Sequence, residues 1–315
     1  MVNGPGLDGS ATDPRPRVLC VGHAAFDSVF RIEAFPPRPT KVRALQFDES
    51  IGGMAANAAC AIAALGGRAG YRGPLGDDDI GARIRGELQQ AGVEIEGSPA
   101  ITGASSSHSA IIVDAQGDRL IVSQRGTALE AEARGLAQQP LHADIILLDV
   151  RWNAGAETVA RTARAAGIPI VLDGEMGNPD LLRRLVPAAD HLIFSEPGFA
   201  EWLGHPVSID AVAAHLSVLI SAGATLAAVT HGERGVVFAH AGGVGHAPAF
   251  PVRALETLGA GDVFHGAYAL ALAEGRAIPD ALRFAAAAAA LKCSRTGGRA
   301  ALADRAEVER LLLSA

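Results

Sequence analysis

Apolar and polar positions follow two rhythms along this 315-residue chain. Short, uninterrupted apolar runs rich in Val, Ile and Leu occur at 17–22, 144–150, 168–173, 191–195 and 226–230. Runs of that length suit strands buried on both faces. Residues 156–166 and 180–185, which lie between such runs, carry helical spacing instead. Residues 53–65 are Ala-rich with apolar periodicity and stop at Gly66-Gly67, which predicts a helix with a glycine stop. Buried strands alternating with helices predict an α/β fold, a parallel sheet covered on both sides.

Two segments break the rhythm. Residues 29–50 and 105–125 hold short, partly alternating stretches, and the turn at 115–118 joins 109–114 to 119–123 as a hairpin. Such strands should form a small second sheet, placed as a lid beside the main one. No repeat of fixed period occurs. In an open parallel sheet, ligands bind beyond the carboxyl ends of the strands. Asp27, Arg151, Asp173, Ser195, Glu196 and residues 230–235 follow apolar runs and are the first suspects.

Composition narrows the function. A hydrophobic content of 49% supports a large core, read as one domain over 17–315 with its accessory sheet. The net charge of −7 with no basic tract argues against a nucleic-acid partner. Cys20, Cys60 and Cys293 show no paired spacing and read as small hydrophobes of a reducing compartment, hence a cytoplasmic protein. The apolar run 285–291 is bracketed by Arg283 and Lys292 and is too short to span a membrane. Residues 1–16, rich in Gly, Pro and Asp, predict a disordered leader and not a signal peptide. The basic residues are nearly all arginine, Lys41 and Lys292 excepted, and a lysine retained under that bias draws notice. The ten histidines show no metal-site spacing. Residues 22–27 lack the glycine pattern of a nicotinamide site, and no P-loop occurs.

The most specific stretch runs from Glu256 through Thr257-Leu258-Gly259-Ala260-Gly261-Asp262-Val263-Phe264-His265-Gly266 to Ala267. Gly259, Ala260 and Gly261 precede a helical pattern that begins near Asp262. Successive amides at a helix N-terminus make an anion hole, and only small residues let phosphate oxygens approach so closely. Asp262 stands at that hole, where a carboxylate can take a proton from an attacking hydroxyl. Phosphoryl transfer needs little beyond such positioning, charge stabilisation and a divalent metal. A plain turn capped by an Asp is the other reading of these residues.

This stretch resembles the C-terminal signature of the ribokinase-like (PfkB) carbohydrate kinases. Gly52-Gly53-Met54-Ala55-Ala56-Asn57 resembles their sugar-binding motif, Gly22…Asp27 their early aspartate, and Thr230-His231-Gly232-Glu233-Arg234-Gly235 their nucleotide loop. The resemblance covers roughly residues 17 to 305. It implies a three-layer α/β/α core with a β-sheet lid, Mg²⁺-ATP as donor, and a monovalent cation such as K⁺ near the C-terminal loops. By the same resemblance Asp262 is the base and Gly259, Ala260 and Gly261 hold the transferring phosphate. Asp27, Gly52, Gly53 and Asn57 hold the sugar, and Thr230, Gly232 and Gly235 the nucleotide. The family's Asn-x-x-Glu is Ser195-Glu196-Pro197-Gly198 here, with Glu196 as a substitute beside the nucleotide. Its opening Asp is Glu256, at the cation loop. Lid strands in the family pair between subunits, which implies a homodimer.

Further stretches resemble the 6-deoxy-6-sulfofructose kinases: Ser106-Ser107-His108-Ser109, Asp149-Val150-Arg151-Trp152, Ser195-Glu196-Pro197-Gly198 and Gly297-Gly298-Arg299-Ala300. An anionic sugar needs fixed cations. Lys41 and Arg151 match that branch's basic positions, and Arg125 could join them. Asn57 and Ser123 depart from the branch pattern. Fructose 6-phosphate, ketodeoxygluconate, ribose and fructose therefore stay open as acceptors, as does a weakly catalytic sugar- or nucleotide-binding regulator.

Overall fold

The computed structural model describes residues 13–314 except 96, 99 and 133. In chain order the strands are β1 (Arg17–Val21), β2 (Ala25–Arg31), β3 (Gln46–Gly52), β4 (Arg68–Arg72), β5 (Glu94–Ile95), β6 (Ser107–Val113), β7 (Arg119–Gln124), β8 (Ile145–Leu148), β9 (Ile170–Gly174), β10 (His191–Ser195), β11 (Leu226–Thr230), β12 (Val236–His240) and β13 (Gly243–Ala247). The large sheet has the order β13-β12-β11-β10-β9-β8-β1-β4-β5. It is parallel from β11 to β5 and ends in an antiparallel hairpin, β12 and β13. That hairpin turns at Ala241 and Gly242.

Strands β1, β8 and β9 are buried along their whole length, which is why their sequences are continuous apolar runs without alternation. Helices Met54–Ala64, Ala260–Ala273 and Ile278–Cys293 bury one core against one face. Helices Asn153–Ala166, Pro179–Leu185, Glu196–Leu203 and Ile209–Ser221 bury a second core against the other. The apolar run 285–291 lies inside Ile278–Cys293 as a buried helix. No helix among the described residues is long and apolar enough to cross a membrane. Helices Met54–Ala64 and Ala260–Ala273 cross where Gly266 meets Ala58. A Cβ on Gly266 would stand 2.6 Å from the Ala58 carbonyl oxygen.

The smaller sheet has the order β3-β2-β6-β7, with β2 and β6 parallel and the outer pairs antiparallel. It begins at Ala25, earlier than position 29, so Asp27 sits on a lid strand and not in the loop that follows β1. Residues 1–12 of the expected leader lie outside the described residues. Arg15, within the rest of it, donates to the Gly66 carbonyl at 3.0 Å and to the Asp13 carboxylate at 2.6 Å.

Beyond the end of β8, the buried Asp149 carboxylate accepts the amides of His23 at 2.7 Å, Arg151 at 2.8 Å and Ala55 at 3.3 Å. One side chain thus joins the root of the lid, the start of helix Met54–Ala64 and the end of a central strand.

Candidate active site

A cleft opens between lid strands β2 and β3, helix Met54–Ala64 and the loop before Ala260. Asp27, Asn57, Glu256, Gly259, Lys292 and Arg299 are among the residues that line it. Gly52 makes room for the acid on the lid, since a Cβ there would lie 1.9 Å from an Asp27 carboxylate oxygen. Partial burial raises the Asp27 pKa, opposed by the Ser109 hydroxyl and by His108.

Asn57 projects from the second turn of its helix and donates to the Asp262 carboxylate at 2.7 Å. Asp262 is half-buried on the first turn of helix Ala260–Ala273, which starts two residues before it. Burial pushes its pKa up to about 7; the Asn57 hydrogen bond pulls it down, while the charges of Asp149, Glu175 and Asp27 push it further up. A carboxyl that titrates there is poised for proton transfer near neutral pH. Gly259 caps the helix with φ 74°, a left-handed conformation that glycine adopts without strain. The cradle differs in one detail from expectation: the Ala260 amide closes a turn onto the Thr257 carbonyl at 3.2 Å. Among the described residues, the amides of Gly259, Gly261 and Asp262 have no hydrogen-bond partner.

Behind the cradle, His265 is buried with Nδ1 2.8 Å from the Gly261 carbonyl oxygen and Nε2 3.1 Å from that of Ile193. The Asp173 carboxylate lies 3.4 Å from Nδ1, its pKa raised well above normal by burial and then by Asp262 and Glu175. His265 therefore ties the cradle to β9 and β10 and does not face the cleft.

Ser195 caps helix Glu196–Leu203, accepting the Gly198 amide at 3.0 Å, and donates to Glu175 at 3.0 Å. Glu196 turns away: its carboxylate meets His231 at 3.0 Å and Arg234 at 2.8 Å, and these partners lower its pKa. It braces the 230–235 loop. Glu175, just past β9, accepts from that Ser195 hydroxyl and lies close enough to Asp262 and Asp173 to raise both their pKa values. Sequence reasoning stopped at Asp173 and passed over it. Thr230 ends β11 and donates to the Phe194 carbonyl at 3.3 Å, and Gly232 and Gly235 form the turn that follows.

Glu256 does not fit an alkali-cation loop. One of its oxygens accepts from Lys292 Nζ at 3.0 Å and the other from Arg31 of β2. A further cation placed about 4 Å from the Lys292 ammonium would face repulsion of about 4 kcal/mol at an effective dielectric of about 20.

Arg151 is half-buried against Gly177 and makes no side-chain hydrogen bond among the described residues. With Arg125 it acts on His23, whose pKa falls to about 4 through burial and then through these two charges. Lys41 is exposed on the β2–β3 connection and does not line the cleft.

With this geometry in place, residues 15–305 match the model of the pfkB family of carbohydrate kinases. The chain belongs to that family. This carbohydrate kinase is 31% identical over 301 residues to ribokinase of Bacillus subtilis, covering 94% of this chain and 99% of the relative. It is 30% identical over 289 residues to the ATP-dependent ribose-1-phosphate kinase of Halopiger xanaduensis, covering 90% and 94%. The solved structure of Arabidopsis thaliana ribokinase complexed with ribose and ATP matches with a TM-score of 0.80 at 26% identity, covering 95% and 98%. The kinase is thus an ATP-dependent phosphotransferase that acts on a sugar hydroxyl.

Proposed function

We propose that this kinase phosphorylates a hydroxymethyl group of a small sugar that carries an anionic substituent, such as 6-deoxy-6-sulfofructose or a sugar phosphate. The phosphotransfer half rests on one observation: the Asp262 carboxyl, its pKa near 7, stands at the mouth of unpartnered helix-start amides. Asp27 and Asn57 hold the sugar hydroxyls in the cleft. Asp262 takes the proton as the hydroxyl attacks the γ-phosphoryl group of ATP, and the Gly261 and Asp262 amides receive the charge that builds on the transferring oxygens. The lid excludes water from this step.

Among the described residues no three His, Cys, Asp or Glu side chains form a metal cage. Mg²⁺ does not need one, since phosphates, waters and one or two carboxylates hold it. Glu175, with Asp173 behind it, is the carboxylate we assign to that ion, which supplies charge neutralisation on the phosphates when bound. Thr230, Gly232 and Gly235 lie along the nucleotide.

Arg151 and Arg125, whose charges both act on His23 and which have no ion-pair partners among the described residues, support the anionic acceptor. The exposed location of Lys41 gives it a smaller part. The names of the relatives favour ribose as the second reading. Exposed Phe47, Leu120, Ile121 and Val122 on the lid strands support a homodimer through that sheet.

ATP turnover over ribose, ribose 1-phosphate, fructose 6-phosphate, ketodeoxygluconate and 6-deoxy-6-sulfofructose tests the proposal, run beside Arg151→Met. The anionic acceptors should show the higher kcat/KM, and the substitution should weaken them about 10-fold or more while sparing ribose. Equal losses for charged and neutral sugars would remove the anion site. Ligand-induced stabilisation without turnover would favour a binding regulator.

A further inference from the structure

Glu256 opens the loop that leads into the phosphate cradle, and that loop hangs from the end of helix Ile278–Cys293. The amides of Leu255 and Glu256 both donate to the Cys293 carbonyl, at 2.7 and 3.2 Å. Beside this junction Lys292, only 3% exposed as a residue, pairs its ammonium with Glu256 at 3.0 Å. Arg31 of the lid takes the other oxygen, and Arg119 of β7 donates to the Thr257 hydroxyl at 3.1 Å. Arg299, the remaining cation at this end of the cleft, donates to the Glu87 carbonyl and does not touch Glu256.

We infer that Lys292 is a built-in counter-cation that positions the 256–259 loop, so that this kinase works without an alkali cation. The inference rests on the cradle reading given above. Lys292 is a positioning residue: it acts through Glu256 and touches neither sugar nor phosphate. An ammonium is a compact point charge, close to a potassium ion in size, whereas a guanidinium is a wide planar fork. That difference accounts for a lysine at this position in a chain whose other lysine is Lys41. Removing it leaves a carboxylate in a partly buried site with half its compensation gone, so the loop must shift. Gly259 follows Glu256 by three residues and borders the same cleft, so the shift reaches the cradle.

The test compares wild type with Lys292→Ala and Lys292→Arg in sodium, potassium, ammonium and tetramethylammonium salts of equal ionic strength. Both turnover and thermal unfolding are followed. Wild type should vary by no more than about 2-fold in kcat among the salts, because its loop is already neutralised. Lys292→Ala should lose roughly 10²-fold in kcat with little change in the sugar KM, the mark of a misplaced cradle. Potassium or ammonium, but not tetramethylammonium, should restore about 10-fold of that loss and raise the melting temperature of Lys292→Ala alone. Lys292→Arg should stay impaired and insensitive to the salt, since the fork leaves no room for an added ion.

A wild type that requires potassium overturns the inference, and so does a Lys292→Ala variant with undiminished kcat. A folded, impaired Lys292→Ala that no cation restores or stabilises overturns it as well. If that variant does not fold, the wild-type salt series and Glu256→Gln decide: potassium-independent wild type with a large kcat loss in Glu256→Gln supports the inference, and any other pair of results refutes it. The melting shifts do not depend on turnover, so they separate this inference from a failure of the phosphotransfer reading, which Asp262→Asn tests.

Discussion

Asp262→Asn keeps the size of the side chain and the Asn57 donor beside it, and removes the proton acceptor. Loss of a general base costs roughly 10²- to 10⁴-fold in kcat. The pH profile follows from the same geometry. With a pKa of about 7, the wild-type carboxyl is half ionised at that pH, and about a tenth ionised one unit lower. Wild-type kcat/KM should therefore fall about 10-fold per pH unit below 7 and level off above 8. The asparagine variant should lack this acid limb while still binding sugar and nucleotide. Stability should move the other way. A carboxyl with a raised folded-state pKa binds a proton that the unfolded chain has already released, so stability declines between about pH 4 and pH 7 as that proton leaves. A shift of about three units corresponds to about 4 kcal/mol, and solvent at the cleft mouth screens it to about 1–2 kcal/mol. Asp262→Asn should thus melt about 2–4 °C higher than wild type at pH 8 and no higher at pH 4. Coupled ADP-release assays from pH 5.5 to 8.5, with calorimetric binding and melting curves, provide the measurements. A variant with near-normal turnover, or with the acid limb intact, would refute the assignment of the base.

Glu175→Gln should raise the Mg²⁺ concentration needed for half-maximal turnover by about 10- to 100-fold and leave sugar affinity alone, which a magnesium titration reads directly. Gly52→Ala places a methyl 1.9 Å from an Asp27 oxygen and forces that carboxylate aside. The sugar KM should then rise about 10- to 100-fold, the loss of hydrogen bonds to a charged group, with ATP affinity unchanged. A sugar KM within about 2-fold of wild type would show that Asp27 does not hold the sugar.

The central strands were legible because both their faces are buried: β10 and β11 fall on the apolar runs 191–195 and 226–230. The Gly259 turn was legible because one residue type fits its backbone. Contacts between distant segments were not. Glu175 became visible only when β9 and β10 paired and set it beside Ser195. The direction of Glu196 depends on a helix cap and on two partners some 35 residues away, His231 and Arg234. Asp27 follows an apolar run, but whether it stood in a loop or on a strand depended on pairing with β3 and β6, which local pattern does not encode. The ion cluster of Arg31, Glu256 and Lys292 joins three remote stretches, and the solitary lysine was its one trace in the sequence.

The crossing at Gly266 and Ala58 sets a constraint of its own. Asn57 and Asp262 reach each other from two helices whose backbones touch at Ala58, next to Asn57, and at Gly266, one turn after Asp262, where the glycine presents only hydrogen. The reach of the proton acceptor is therefore gauged by a contact too tight for a methyl group. Sugar preference can drift through the rim of the flap, but any side chain grown at that contact would wedge the two helices apart and uncouple the pair, whatever sugar is bound.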